Sequence, residues 1–228
     1  MRIRTIFLIV FVGFFYTAKG QDDRTDRLGV GIGPAKIYGD NTGEHRKFLF
    51  KVLPVLTVDY NKKVHTFFDV KATLGWQMIS SGDFYSDNVI NRIAAANLPH
   101  AFRGNMFYGD IMPVYQINPN QSGYLPSLIK VYTGLGLGVF HSKRTDERLI
   151  LDDPNRRTET YPASDTGLYV PYRIGIYKEL QSNAEIGLES TLIVSLGAQM
   201  EGNDRKQKIL KPDMLMQFQF YYRIFLDQ

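Results

Sequence analysis

The 228-residue chain predicts an all-β fold, an eight-stranded antiparallel up-and-down transmembrane β-barrel. Three observations lead there. Apolar and polar residues alternate at period two in eight successive segments. The connections between those segments are alternately long and short. The polar faces are rich in glycine and carry charges of both signs, which suits a narrow closed lumen better than a water-facing surface.

The first 20 residues read as an export signal. Arg2 and Arg4 precede the apolar run Ile6 to Tyr16, and Ala18-Lys19-Gly20 supplies small residues for cleavage between Gly20 and Gln21. The run is about 12 residues, too short for the ~20 that a membrane-spanning helix needs. This leader holds three of the four net positive charges, so residues 21–228 carry only +1 and form one barrel domain. No nucleic-acid footprint follows from that charge. With no cysteine, the chain has no disulfide, thiolate metal site or thiol nucleophile. No cofactor is expected.

Strand one, 28–39, is marked by Gly29, Gly31 and Gly33. Strand two, 48–60, has the apolar face Phe48, Phe50, Val52, Leu56, Val58 and Tyr60. Strand three, 64–77, sets Val64, Phe68, Val70, Ala72, Leu74 and Trp76 against His65, Asp69, Lys71, Thr73 and Gln77. Strand four is 103–117. Strand five, 129–139, sets Ile129, Val131, Leu135, Leu137 and Val139 against Lys130, Tyr132, Gly134, Gly136 and Gly138. Strand six, 167–179, opposes Leu168, Val170, Tyr172, Ile174 and Ile176 to Arg173 and Glu179. Strand seven, 184–196, sets Ile186, Leu188, Leu192 and Val194 against Glu185, Gly187, Glu189 and Thr191. The last strand carries Met214, Met216, Phe218, Phe220, Tyr222 and Ile224 on one face. Phe218, Phe220, Tyr222 and Phe225 form the C-terminal assembly strand. Prolines 34, 54, 113 and 171 fall inside strands, where they predict bulges or shortened pairing.

Turns are expected at 61–63, 118–123 and 181–183, and longer external loops at 40–47, 78–102, 144–166 and 197–212. In a membrane barrel the apolar faces meet lipid. The lumen then receives a structural charge network of Lys51, Asp69, Lys71, Asp110, Lys130, Arg173, Glu185, Glu189 and Arg223. Tyr60, Trp76, Tyr115 and Tyr222 suit interfacial girdles. The competing soluble lipocalin-like carrier would turn the Phe218, Phe220, Tyr222 face into a cavity.

Some ordered motifs resemble the small outer-membrane β-barrel family that includes PorG, a type IX secretion component. They are Ile37-Tyr38-Gly39-Asp40, Ser80-Ser81-Gly82-Asp83, Phe102-Arg103-Gly104-Asn105, the run Tyr132 to His141, and Tyr221-Tyr222-Arg223-Ile224. The resemblance implies a barrel of the OmpA/OmpX size class in the bacterial outer membrane. It would meet outer-membrane lipid and envelope or secretion-machinery proteins. The chain departs from the pattern at its end, where Phe225 is followed by Leu226-Asp227-Gln228.

Catalytic residues are not expected. His65 should face the lumen beside a turn. A lipid-modifying alternative would need a rim pair, His141 with Ser142, or His100 with Ser80 and Asp83. Gly29 to Gly33 and Gly134 to Gly138 lack the spacing and following helix of a dinucleotide loop. Asp152-Asp153 and Glu201-Gly202-Asn203-Asp204 do not match the calcium-loop pattern, and the Asn120-Gln121-Ser122 sequon has no role in a turn. Arg205-Lys206-Gln207-Lys208 in the last external loop has the charge to touch anionic lipid headgroups, with a solvated loop tip as the plainer reading.

Overall fold

The computed structural model describes residues 26–39, 42, 49–81, 84–120, 127–152, 155–180, 183–197, 200 and 212–226. The export signal with its Gly20/Gln21 junction, Asp40, Phe48, Gly82, Asp83, Asp153, residues 121–123 and 181–182 of the expected turns, and the 201–208 motifs lie outside these residues. The strands are β1 Asp26–Tyr38, β2 Leu53–His65, β3 Phe68–Ser80, β4 Ala101–Gln116, β5 Lys130–Leu135, β6 Leu137–Asp152, β7 Asn155–Leu180, β8 Ala184–Ser195 and β9 Met214–Leu226. One helix, α1 Asp87–Ala95, lies between β3 and β4.

All pairings are antiparallel, β5 and β6 each pair with β4 and β7 rather than with one another, and β1 closes the sheet on β9. β5 and β6 together form one stave, so the ring has eight. The alternation in each strand sends one set of side chains outward. Leu28, Val30 and Ile32 on β1, Leu74 on β3, and Phe218 and Phe220 on β9 are 42–71% exposed, and equivalent rows continue on the other strands. The opposite set is buried and largely polar: Asp59, Lys71, Asp110, Arg173, Glu185 and Arg223 are each at most 5% exposed. Apolar outside and charged inside is the arrangement of a barrel in lipid. The exposure of Phe218, Phe220 and Tyr222 overturns the lipocalin-like alternative.

The prolines act without bulges. The β1–β9 ladder lapses at Gly33-Pro34 and resumes in the same register. Pro54 lies before the first β2–β3 pair, Val55 with Gln77. Pro113 and Pro171 stand on either side of the break between β5 and β6. Neither can donate to the ladder, and the stave between them parts at Gly136, whose N–H still donates to Pro171 O (3.1 Å). The register shift lies elsewhere, between Lys63 and His65. β2 therefore runs on to His65, and the tight turn is Thr66-Phe67 rather than 61–63. The shift also takes His65 off the lumen face: it is exposed and stacks on Phe67.

Two expected loops contain regular structure. In 78–102, α1 buries Ile93 and ends at Ala95, and Asn97, just past the Ala96 cap, closes the helix as a left-handed residue with a φ of 54°. In 144–166, β6 and β7 continue as a paired hairpin from Val139–Leu168 up to Asp152–Asn155. Each arm is about 40 Å long at ~3.3 Å per residue. β4 supports its base up to Ala101–Glu147. Arg148 Nη1 donates to Asn97 Oδ1 (2.8 Å), tying the hairpin to the α1 terminus. The start of β1, the end of β9 and the Thr66-Phe67 turn share the other end, the periplasmic one in outer-membrane barrels.

Candidate functional site

The barrel interior gathers most of the predicted charges into one cluster. Arg173 clasps Asp110 with both guanidinium arms, Nη1 to Oδ1 at 2.6 Å and Nη2 to Oδ2 at 2.8 Å, and reaches Glu189 at 3.3 Å. Lys71 also pairs with Glu189. Arg223 donates to Asp59 (2.7 Å) and to Glu185 (2.9 Å). Arg27 pairs with Asp69 and with Glu185 (3.2 Å). Lys130 pairs separately with Glu179 near the periplasmic mouth. Buried charges are costly unless paired, and here the partners are themselves hydrogen-bonded.

Lys51 is not part of this cluster. It precedes β2, is half-buried, and stands at the external end. Two members were missed in the sequence, Arg27 and Asp59. Arg27 is the second residue of β1 and lies one residue before the first predicted strand, and Asp59 sits at an inward position of β2. Their parity was the available signal.

The glycines explain how side chains on alternate strands meet. Gly29 pairs with Asp59 on one side and Arg223 on the other. A Cβ at Gly29 would sit 2.3 Å from Arg223 Cγ, so the bare backbone is the path by which Arg223 reaches Asp59. Three more rows repeat this. Thr57 Oγ1 donates to Gln219 Oε1 (2.6 Å) across Gly31. Tyr169 OH donates to Asp110 Oδ2 (2.7 Å) across Gly138. Tyr132 OH donates to Glu189 Oε2 (2.5 Å) across Gly175. In each, the middle strand gives up its side chain so that its two neighbours can bond over it.

Above this layer, Gln217 donates from Nε2 to Gln77 Oε1 (2.8 Å) and contacts Tyr108 OH (3.0 Å). The external part of the lumen is then apolar. Ile79, Met106, Phe140, Ile193, Met200 and Leu215 form a cluster with at most 2% exposure each. At the other end, a polar cavity of about 470 Å³ opens at the periplasmic mouth, lined by Arg27, Asp69, Gln116, Lys130 and Glu179. Phe225 reaches this mouth, whereas Phe218, Phe220 and Tyr222 face outward.

Among the described residues, the proposed rim pairs do not assemble as catalytic sets. His141 and Ser142 are consecutive on β6 and point to opposite faces. His141 Nδ1 lies 2.7 Å from Thr166 Oγ1, while Ser142 is fully buried and donates to Asp165 O (3.4 Å). The His100 N–H donates to Glu147 O (2.9 Å), and Ser80 is buried at the end of β3. No group of histidine and carboxylate ligands suited to a metal occurs among the described residues.

No protein-family model and no curated protein matches the chain. Solved structures do. The Neisserial surface protein NspA superposes with a TM-score of 0.52 at 7% identity, over 88% of this chain and 97% of that one. The chain has the outer-membrane β-barrel fold. Ail of Yersinia pestis (TM-score 0.46, 12% identity, 89% of this chain and 100% of that one) also aligns with it. So does OprG of Pseudomonas aeruginosa (TM-score 0.42, 8% identity, 89% and 97%). The lipid-facing apolar belt places this barrel in the outer membrane.

Proposed function

We infer that the chain is a non-enzymatic outer-membrane anchor or docking component of an envelope protein assembly. A PorG-like role in type IX secretion is its concrete form. One observation carries this reading: the lumen is occupied along its length, by ion pairs on the periplasmic side and by the Ile79–Met106–Leu215 cluster on the external side. A filled barrel offers its two ends for work rather than its interior. The external end presents the β6–β7 hairpin, tied to α1 by Arg148 and Asn97. The periplasmic end presents the charged mouth. The hairpin and the mouth stand on a fixed support, the usual place for recognition. The motif resemblance described above supplies the secretion machinery as the partner.

The test is crosslinking and affinity purification of the tagged full-length protein from its own host, beside a variant whose hairpin is shortened between residues 146 and 161. Stoichiometric envelope partners that depend on the hairpin or on mouth residues support docking. Secretion of type IX cargo that continues undiminished when the protein is deleted excludes the PorG-like form. A barrel that purifies with lipid alone excludes docking altogether.

A further inference from the structure

The outward wall of β3, β4, β6 and β7 changes character just above the lipid belt. Register places Trp76, Phe107, His141 and Thr166 side by side in one row. Below it lie apolar residues, with Ile111 opposite Leu137 at 64% and 67% exposure. The Trp76 and Phe107 rings mark the membrane interface. The next row upward, roughly 7 Å further along the strands, is Met78, Asn105, Lys143 and Ser164. The row above that contains Arg103 opposite Thr145, which is opposite Pro162.

Arg103 and Lys143 are therefore diagonal neighbours on one face, roughly 7–8 Å apart, and both are exposed. No acid shares these three rows; Glu147 stands one row higher, diagonal to Arg103 on the side away from Lys143, and forms no ion pair with it. The arginines on the inward face of the same hairpin are engaged: Arg144 Nε with Asp146 (3.0 Å), and Arg148 with Asn97. Arg103 and Lys143 make no ion pair or side-chain hydrogen bond among the described residues. Two unengaged cations one and two rows above an aromatic row stand at headgroup depth, on the external leaflet.

We propose that Arg103 and Lys143 form a binding site for the phosphorylated headgroup of an outer-leaflet glycolipid, with His141 and Asn105 on the same wall as further hydrogen-bonding groups. The guanidinium supplies a forked donor pair and the ammonium a point charge, a combination suited to phosphate oxygens. The acyl chains would lie down the Phe107–Val139–Ile111–Leu137 wall, which continues the site into the bilayer. This site is independent of the docking role and stands or falls without it.

The experiment uses the full-length folded barrel in neutral detergent, with lipid A as probe and native mass spectrometry to count retained lipid. Folding of every variant is checked by its heat-modifiable mobility. R103Q/K143Q should retain lipid A about thirtyfold less well, the loss of two cation–phosphate contacts, and R103K/K143R should retain it nearly as wild type. Dephosphorylated lipid A should bind the wild type as weakly as lipid A binds R103Q/K143Q. K62Q/K178Q removes two exposed lysines from the periplasmic rim and should change nothing. Equal retention by R103Q/K143Q and wild type overturns the proposal, as does an equal loss in K62Q/K178Q. Inorganic phosphate competing fully at millimolar concentration would show a free-anion site and overturn the lipid assignment.

Discussion

On the periplasmic side of the lumen, the inward positions hold Arg27, Asp59, Asp69, Lys71, Glu185 and Arg223. On the external side of the same strands they hold Ile37, Val55, Ile79, Ile193 and Leu215. The change is graded along each strand. β3 passes from Asp69 and Lys71 through Thr73 and Gln77 to Ile79, and β9 from Arg223 through Gln219 and Gln217 to Leu215. The two regions solve one problem, filling a narrow ring, by different physics. The charged region depends on each partner being present, because one lost charge leaves another buried and unpaired. The apolar region depends on volume and shape, which neighbouring methyl groups can partly restore. Ion-pair geometry therefore belongs to the half nearer the periplasm, and adaptable packing to the half beneath the external surface.

The largest expected effect comes from breaking the charged side. Arg173→Ala removes the bidentate partner of Asp110 and a partner of Glu189. It should cost about 3–5 kcal/mol. Urea titration of the barrel in lipid vesicles, followed by the fluorescence of Trp76, the only tryptophan, reads this directly. A loss below about 1 kcal/mol would mean that water, not the pairing, satisfies Asp110.

The apolar side should respond to size and not to identity. Leu215→Ala opens a hole in the cluster that holds Ile79 and Met106 and should cost about 2–5 kcal/mol, whereas Leu215→Met should cost less than about 1.5 kcal/mol. Equal losses for the two variants would show that this cluster is as particular about shape as the ion pairs are about charge.

The glycine bridges sharpen the contrast. A Cβ at Gly138 would lie 2.4 Å from Tyr169 Cζ and 2.6 Å from Gly109 O. Gly138→Ala should cost about 1–3 kcal/mol by overpacking. The loss should be strongly non-additive with Tyr169→Phe, since both remove the Tyr169–Asp110 hydrogen bond. Simple additivity in the double-mutant cycle would separate the glycine from the bond that crosses it.

These relations also show what was legible in the chain. The outward and inward faces could be read because side-chain parity is local: Leu74 and Asp69 declare their sides by position alone. The order of staves followed from the connection lengths. The break at Gly136 could not be read, because it depends on Pro113 and Pro171 arriving on both flanks from distant parts of the chain. The turn at Thr66-Phe67 was displaced for the same reason, since the Lys63/His65 shift exists only against β3. Arg27 and Asp59 had the right parity but no local mark to separate them from other polar residues. The apolar lumen cluster was missed because Val55 or Leu215 looks, along its own strand, like an irregularity in the alternation. Only the ring, which sets Ile193 beside Leu215, turns those irregularities into a layer.

The smallest expected effect lies above the membrane, on the hairpin, and has a defined sign. Asp146 is buried on the inward face of β6, and burial raises its pKa above the ordinary carboxylate value despite the opposing attraction of Arg144. A carboxyl group whose folded pKa is raised binds its proton more tightly when folded. Its contribution to stability is therefore greatest below the unfolded value of 3.8 and declines as pH rises through the folded value. Asp146→Asn removes that titration while keeping a side chain of similar size beside Arg144. At pH 7 the stability of the variant relative to wild type sets the baseline. As the pH falls towards 4, wild type should gain stability relative to the variant. Parallel unfolding curves at both pH values, compared as the difference between the two proteins, isolate Asp146 from the other carboxylates. A difference of the opposite sign would mean that the Arg144 pair outweighs desolvation, so that the hairpin base follows the ion-pair rule of the periplasmic half.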